Sequence, residues 1–288
     1  MAATAYSIHL PARRDTAVIF ASPHSGRAYG AEFLGRSVLD ARTIRSSEDA
    51  FVDDLLAAVP GFGAPLLAAI APRAYVDLNR GADELDPAVI EGARIASHNP
   101  RISSGLGVIP RVVSGGRAIY RGKLPMAEAQ ARLRDWWHPY HACLQQLLGD
   151  SHRQFGQAIL MDVHSMPHEA MEAIAARPGY RPDVVVGDRY GASASADLVM
   201  RIEEAFRTEG FRVARNAPFA GAYVTQAYGR PGMRQHAVQI ELDRALYMDE
   251  RRIEPRADFP AFRDRLTRVL SVIADLGRPE SEAGLAAE

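Results

Sequence analysis

Three apolar runs in this chain end in residues able to bind a metal or move a proton. Ala17-Val18-Ile19-Phe20-Ala21 leads into Ser22-Pro23-His24-Ser25-Gly26. Ala158-Ile159-Leu160-Met161 leads into Asp162-Val163-His164-Ser165, and Ala237-Val238-Gln239-Ile240 leads into Glu241. In an open α/β sheet, ligands bind outside the carboxyl ends of the strands, so strand ends of this kind converge on one point. Two imidazoles and a carboxylate there are the parts of a His/carboxylate zinc site with a general base. Catalytic zinc takes three protein ligands and leaves one position open, so an acid must join His24 and His164. Glu48 and Asp49, at the head of a helical stretch, are both candidates; acids there also serve as caps at the positive end of a helix dipole. Asp162 shares a strand face with His164 and is placed to orient its ring.

Two further groups bear on substrate and proton transfer. Asn79 and Arg80 end the run Arg73-Ala74-Tyr75-Val76-Asp77-Leu78-Asn79-Arg80, and their amide and guanidinium donors suit a substrate carboxylate. An ion pair of Arg80 with Asp77 or Asp83 is the alternative reading. Glu241 closes an apolar strand, where burial raises a carboxyl pKa towards the range of a general base. Its alternative is an ion pair with Arg244. Gly105-Leu106-Gly107 lacks the strand–turn–helix setting of a dinucleotide site, and the chain has no P-loop and no Gly-x-Ser-x-Gly elbow. Ser25 and Ser165 neighbour histidines, but no third residue completes a triad.

The elements that must position these groups alternate between short β-branched runs and amphipathic helical stretches, the pattern of an α/β sandwich. Strands are expected at 17–23, 65–70, 75–78, 158–164, 183–187, 212–215 and 237–242, with 105–113 either a strand or an extended loop. The clearest helical periodicity runs from Met126 to Leu148, with Pro125 at its start and Pro139 expected to kink it or begin a new helix. Other helices are expected at 49–58, 193–209 and 261–273. The segment 81–107 reads as a long irregular excursion, and the small polar tail after Gly277 as frayed. No linker or repeat divides the 288 residues, so a single α/β domain is expected over 1–288.

Composition narrows the function classes. The formal net charge of -1 gives no support for a nucleic-acid or acidic-membrane partner, and the 47% apolar content is that of an ordinary globular protein. Lys123 is the only lysine and Cys143 the only cysteine. One cysteine forms no intrachain disulfide, which fits a reducing compartment; with no signal-peptide pattern and no apolar run near the roughly 20 residues of a membrane span, the expected location is the cytoplasm.

Five segments together resemble the N-formylglutamate amidohydrolase family. They are Ser22-Pro23-His24-Ser25-Gly26, the Arg73–Arg80 run, Met161-Asp162-Val163-His164-Ser165-Met166-Pro167, Gly187-Asp188-Arg189-Tyr190-Gly191 and the stretch from Gln239 to Met248, in family order across nearly the whole chain. The resemblance implies a zinc-carboxypeptidase-like three-layer sandwich, a mixed central sheet flanked by helices. It implies hydrolysis of N-formyl-L-glutamate to formate and L-glutamate, a late step in histidine breakdown. More distant aspartoacylase and carboxypeptidase relatives place a His, a nearby acid and a second His on zinc, an Asn-Arg pair on the substrate carboxylate, and a Glu as base. His24, His164, Asn79, Arg80 and Glu241 fit those roles.

Those relatives carry the acid three residues after the first His, and here that position is Arg27, which cannot bind zinc. The resemblance favours Asp49 as the third ligand, with Glu48 the close alternative. It leaves Arg73 to help stabilise the oxyanion, and Arg111 and Arg244 as candidates for a second substrate carboxylate. One Zn2+ per chain is expected, and such a donor set also accepts Co2+, Mn2+ or Fe2+. Two other readings stand beside this one. One is a zinc deacylase or carboxypeptidase acting on another N-acyl amino acid or short peptide. The other is a non-catalytic binding protein that keeps the carboxylate grip.

Overall fold

The computed structural model of the protein describes residues 4–94, 99–172 and 181–279. Its centre is a seven-stranded sheet in the order Tyr6–His9, Leu66–Ala69, Val18–Ser22, Ala158–Met166, Gln235–Asp243, Val184–Gly187, Val213–Arg215. The four strands from Leu66–Ala69 to Gln235–Asp243 run parallel. Tyr6–His9 is antiparallel to its neighbour, and the pair Val184–Gly187 and Val213–Arg215 is antiparallel to Gln235–Asp243. The sheet is therefore mixed, as expected.

The period-2 pattern of the buried strands divides the core into two layers. Val18, Phe20, Ile159, Met161, Val238 and Ile240 face the helices Ala196–Thr208 and Phe259–Asp275. Ile19, Ala21, Ala158, Leu160 and Ala237 face the other layer, where Tyr140, Leu144, Leu147 and Leu148 cover them. All nine side chains of Ala158–Met166 are buried, which is what a parallel strand covered on both faces requires. Among the described residues no helix is long and apolar enough to cross a membrane.

Several expected elements take a different form. Residues 75–78 are not a strand. The place beside Leu66–Ala69 is filled by Tyr6–His9, a short edge strand with partly exposed residues that the pattern does not reveal. Val76 and Leu78 owe their apolar character to burial in a turn-rich segment, where Tyr75 and Val76 both donate to the Pro72 carbonyl. The helix expected at 49–58 shrinks to Val52–Leu55, because Phe51 stands in the left-handed region at φ 66 and the Asp49 amide donates to the His24 carbonyl. The segment 105–113 is a loop with a two-residue strand at Val112–Val113. The excursion 81–107 contains one short helix, Pro100–Ser103, and its residues 95–98 lie outside those described. So does the tail from residue 280 on.

A new α-helical stretch, His138–Phe155, begins with Pro139 in its first turn, as expected. Met126–Arg132 passes into a five-residue π-helical turn, Leu133–Trp137, and on into His138–Phe155. A wider turn is one way a helix absorbs the missing proline N–H. It leaves Trp137 buried, with its indole N–H on the Arg80 carbonyl at 2.9 Å.

The chain turns sharply after the first parallel strand, and Gly26 permits it. A Cβ at Gly26 would land 2.1 Å from the Ala71 carbonyl oxygen, with backbone rather than a yielding side chain in its way. Gly26→Ala is expected to lower stability by about 1–3 kcal/mol through this overpacking. A urea-unfolding midpoint equal to that of the parent protein would contradict the close approach.

Candidate functional site

The parallel strands bring the three predicted groups to one end of the sheet. His24 follows the Val18–Ser22 strand by two residues, and His164 pairs in register with Glu241 on the neighbouring strand. Asp162, His164, Gln239 and Glu241 extend the face that carries Leu160 and Ala237, so that face changes from apolar to polar as the strands end. Each of these polar side chains is buried. Buried polar groups must find partners, and each of these four side chains has at least one, although Asp162 Oδ1 has none among the described residues.

Both imidazoles are held from behind by a carboxylate. His24 Nε2 lies 2.7 Å from Asp77 Oδ1, and His164 Nε2 lies 3.0 Å from Asp162 Oδ2. A histidine whose Nε2–H donates to a carboxylate presents a lone pair at Nδ1. The two Nδ1 atoms face each other at 3.1 Å, and Asp49 Oδ2 sits 3.0 Å from that of His164 and 3.5 Å from that of His24. The three ligand-capable atoms all lie within 4.8 Å of one another. Three buried lone pairs aimed at one point repel unless a positive charge sits between them. Burial lowers the His164 pKa, but Asp162, Asp49 and Glu241 outweigh it and hold it well above the usual value. The donor set, its burial and its carboxylate backing fit a three-ligand divalent-cation site.

The geometry separates the two candidate acids. Glu48 is turned away, with Arg45 at 3.0 Å on both its oxygens and the Tyr29 hydroxyl donating at 3.0 Å. Asp49 is oriented by Arg244, whose Nη2 donates to Oδ1 at 2.9 Å. Arg27 lies at the surface, paired with Asp53 at 3.0 Å.

Glu241 is 8% exposed and accepts one hydrogen bond, from Gln239 Nε2 at 2.9 Å. Burial pushes its pKa up to about 7, with Asp49 adding to the rise and His164, Arg73 and Arg244 opposing it. His24, Asp49, His164 and Glu241 line a cavity of about 340 Å3, bounded elsewhere by Val113, Gly115, Phe219 and Gly221.

The remaining predicted residues divide. Arg73 lines the cavity, its Nε on Asp77 at 3.1 Å. Arg244 also lines it, but its guanidinium is engaged by Asp49, the Ser46 carbonyl and the Ser165 hydroxyl. Asn79 lies against His164 Nε2 at 3.1 Å, and its Oδ1 accepts from the Val224 amide. Arg80 and Arg111 do not border the cavity. Arg80 donates to the carbonyls of Leu106 and Asn79, and Arg111 to Asp86 and the Ser103 carbonyl. Both guanidiniums serve the protein's own oxygens in this structure.

Three residues escaped the sequence reading. Asp77 backs His24, and burial, which would raise its pKa, is outweighed by His24 and Arg73, so it stays ionised well below the usual carboxylate range. Gln239 anchors Glu241, and its place two residues earlier on the strand is the signal. Arg101 lines the cavity from the irregular segment, where no periodicity marks it.

A mixed α/β sheet thus carries a buried His–Asp–His cluster and a further carboxylate at its parallel strand ends, a donor set and a proton-exchanging group of the kind that hydrolytic chemistry uses. The model of the N-formylglutamate amidohydrolase family matches residues 16–248. The chain belongs to that family. An N-formylglutamate deformylase of Pseudomonas aeruginosa is 32% identical over 237 residues, covering 81% of this chain and 82% of the relative. One from Pseudomonas putida is 29% identical over 236 residues, with the same coverage. The crystal structure of the N-formylglutamate amidohydrolase from Ralstonia eutropha JMP134 matches with a TM-score of 0.88 at 35% identity, covering 94% of this chain and 98% of that one.

Titration of metal-free protein with Zn2+ in a calorimeter is expected to show one tight site per chain. Asp49→Asn should weaken it at least tenfold and Glu48→Gln should leave it intact, and the reverse order would reassign the acid.

Proposed function

We propose that this protein hydrolyses N-formyl-L-glutamate to formate and L-glutamate, with His24, Asp49 and His164 holding one divalent cation, zinc by preference. The observation that carries this reading is the convergence of three backed lone pairs beside Glu241, in a chain of this family. A divalent cation bound there supplies Lewis acidity, polarising a carbonyl and acidifying a nearby water.

The chain's own residues do the rest. Asp77 and Asp162 fix the ring orientation of the two histidines, and Arg244 fixes Asp49. Glu241, ionised at its working pH, takes a proton from the water whose oxygen attacks the formyl carbon. Arg73, on the cavity wall with its Nε on Asp77, stabilises the carbonyl oxygen as negative charge builds there. Glu241 then gives its proton to the amide nitrogen as the C–N bond breaks, so formate and the free amino acid leave and the carboxylate is restored. Asn79 is assigned to steadying Asp162 rather than to substrate, since its Nδ2 donates to Asp162 and its Oδ1 accepts from the Val224 amide. The reading carries with it a late place in histidine breakdown and a cytoplasmic location, which the single cysteine supports.

Formate release from N-formyl-L-glutamate by metal-loaded protein, abolished by a chelator and restored by Zn2+, is the expected result. No release from a metal-replete sample would overturn the substrate. Glu241→Gln should cut kcat by about 10^2–10^4-fold while one metal per chain remains bound. Near-parental turnover would remove Glu241 as the base. A base works deprotonated, so kcat/KM should fall as acid protonates Glu241. Burial sets that step near pH 7, and a bound cation draws it lower, so the acid limb should lie at or below pH 7 and vanish in Glu241→Gln.

A further inference from the structure

Three guanidinium groups border the cavity, and two are engaged. Arg244 is held by Asp49, Ser46 and Ser165, and Arg73 is tied through its Nε to Asp77, which backs His24. Among the described residues, Arg101 makes no side-chain hydrogen bond and no ion pair. It is the cavity cation left without a protein partner.

Its position is nevertheless built. Arg101 lies on Pro100–Ser103, where Asn99 Oδ1 caps the turn by accepting from the Arg101 amide at 3.0 Å. Arg111 clamps the far end of that turn, with Nε on Asp86 at 2.9 Å and Nη2 on the Ser103 carbonyl at 3.3 Å. Arg80 Nε takes the Leu106 carbonyl at 2.9 Å. Gly107 packs so closely that a Cβ there would lie 2.5 Å from the Glu84 carbonyl oxygen. Two arginines that do not reach the cavity thus brace the segment that brings a third one to it.

N-formyl-glutamate is a dianion at neutral pH, and a carboxylate entering a half-buried cavity needs a cation there. Arg73 serves the reacting end, beside the carboxylate that backs His24. The side-chain carboxylate extends two methylenes further, so its partner must come from a wall that contributes none of the His24, Asp49, His164 and Glu241 cluster. We infer that Arg101 is the specificity-determining residue, gripping the side-chain carboxylate of an acidic N-acyl amino acid with its free guanidinium fork. This rests on the deformylase reading and extends it, by naming the group that selects glutamate over a neutral amino acid of equal length.

The test compares metal-loaded parent, Arg101→Met and Arg101→Lys on N-formyl-L-glutamate and N-formyl-L-norleucine. A charge-assisted hydrogen bond of ordinary strength corresponds to a factor of about 10–100. Arg101→Met should lower the glutamate-to-norleucine ratio of kcat/KM by that factor, chiefly through KM for the glutamate substrate, and Arg101→Lys should restore part of it. An unchanged ratio in an Arg101→Met variant, with an active parent, would overturn the inference while leaving the deformylase reading in place. A parent inactive on N-formyl-L-glutamate but active on the norleucine substrate would overturn both.

Discussion

Burial of charge at the ends of the parallel strands is the constraint on which the rest of this structure depends. Asp49, Asp77, Asp162, Glu241, His24 and His164 all sit out of water within one small region. Each carboxylate is offset in its own way. Asp77 has His24 and Arg73, Asp162 has His164, and Asp49 has Arg244. Glu241 is hydrogen-bonded by the amide of Gln239, and His164, Arg73 and Arg244 offset its charge only in part. It is therefore the carboxylate whose charge is least favoured, and burial moves its titration towards neutrality. Two carboxyl roles, one always charged and one poised to exchange a proton, follow from unequal access to cations and not from residue type.

The scaffold explains why that inequality holds. His164 and Glu241 are fixed by sheet hydrogen bonds, and Asp162 and Gln239 stand two residues behind them on the same face. Asp49, on a short irregular segment, is tied back by its own amide to the His24 carbonyl and by its carboxylate to Arg244 on the turn after the last strand. Rigid strands supply the imidazoles and the base, while hydrogen bonds between distant segments supply the rest.

Much of this was legible in the sequence, for identifiable reasons. The three polar strand ends stood out because an apolar run that stops at His or Glu is conspicuous, and parallel topology makes such ends converge. The choice between Glu48 and Asp49 was not legible. Adjacent acids at a helix head look alike, and Tyr29 and Arg45, which turn Glu48 aside, become its neighbours only in the fold. Arg80 and Arg111 turn to the protein's own oxygens because a guanidinium fork suits backbone carbonyls as well as a ligand carboxylate. Arg101 went unseen because nothing periodic surrounds it. The edge strand Tyr6–His9 was missed for the reason the strand at 75–78 was wrongly expected: alternation reports burial, and burial is not confined to strands.

The sheet order has a bearing on how the molecule is made. The last of the long strands in the chain, Gln235–Asp243, lies between Ala158–Met166 and Val184–Gly187, so those two earlier strands never pair with each other. During synthesis the sheet must wait as two separate pieces, one carrying both imidazoles and one carrying neither. Emergence of the Glu241 strand joins them, and the Arg244 that orients Asp49 follows directly behind it. A growing chain therefore lacks Glu241 and the guanidinium that orients Asp49 until that strand has been made. The ordering of the sheet itself delays reactive chemistry until the structure that contains it is closed.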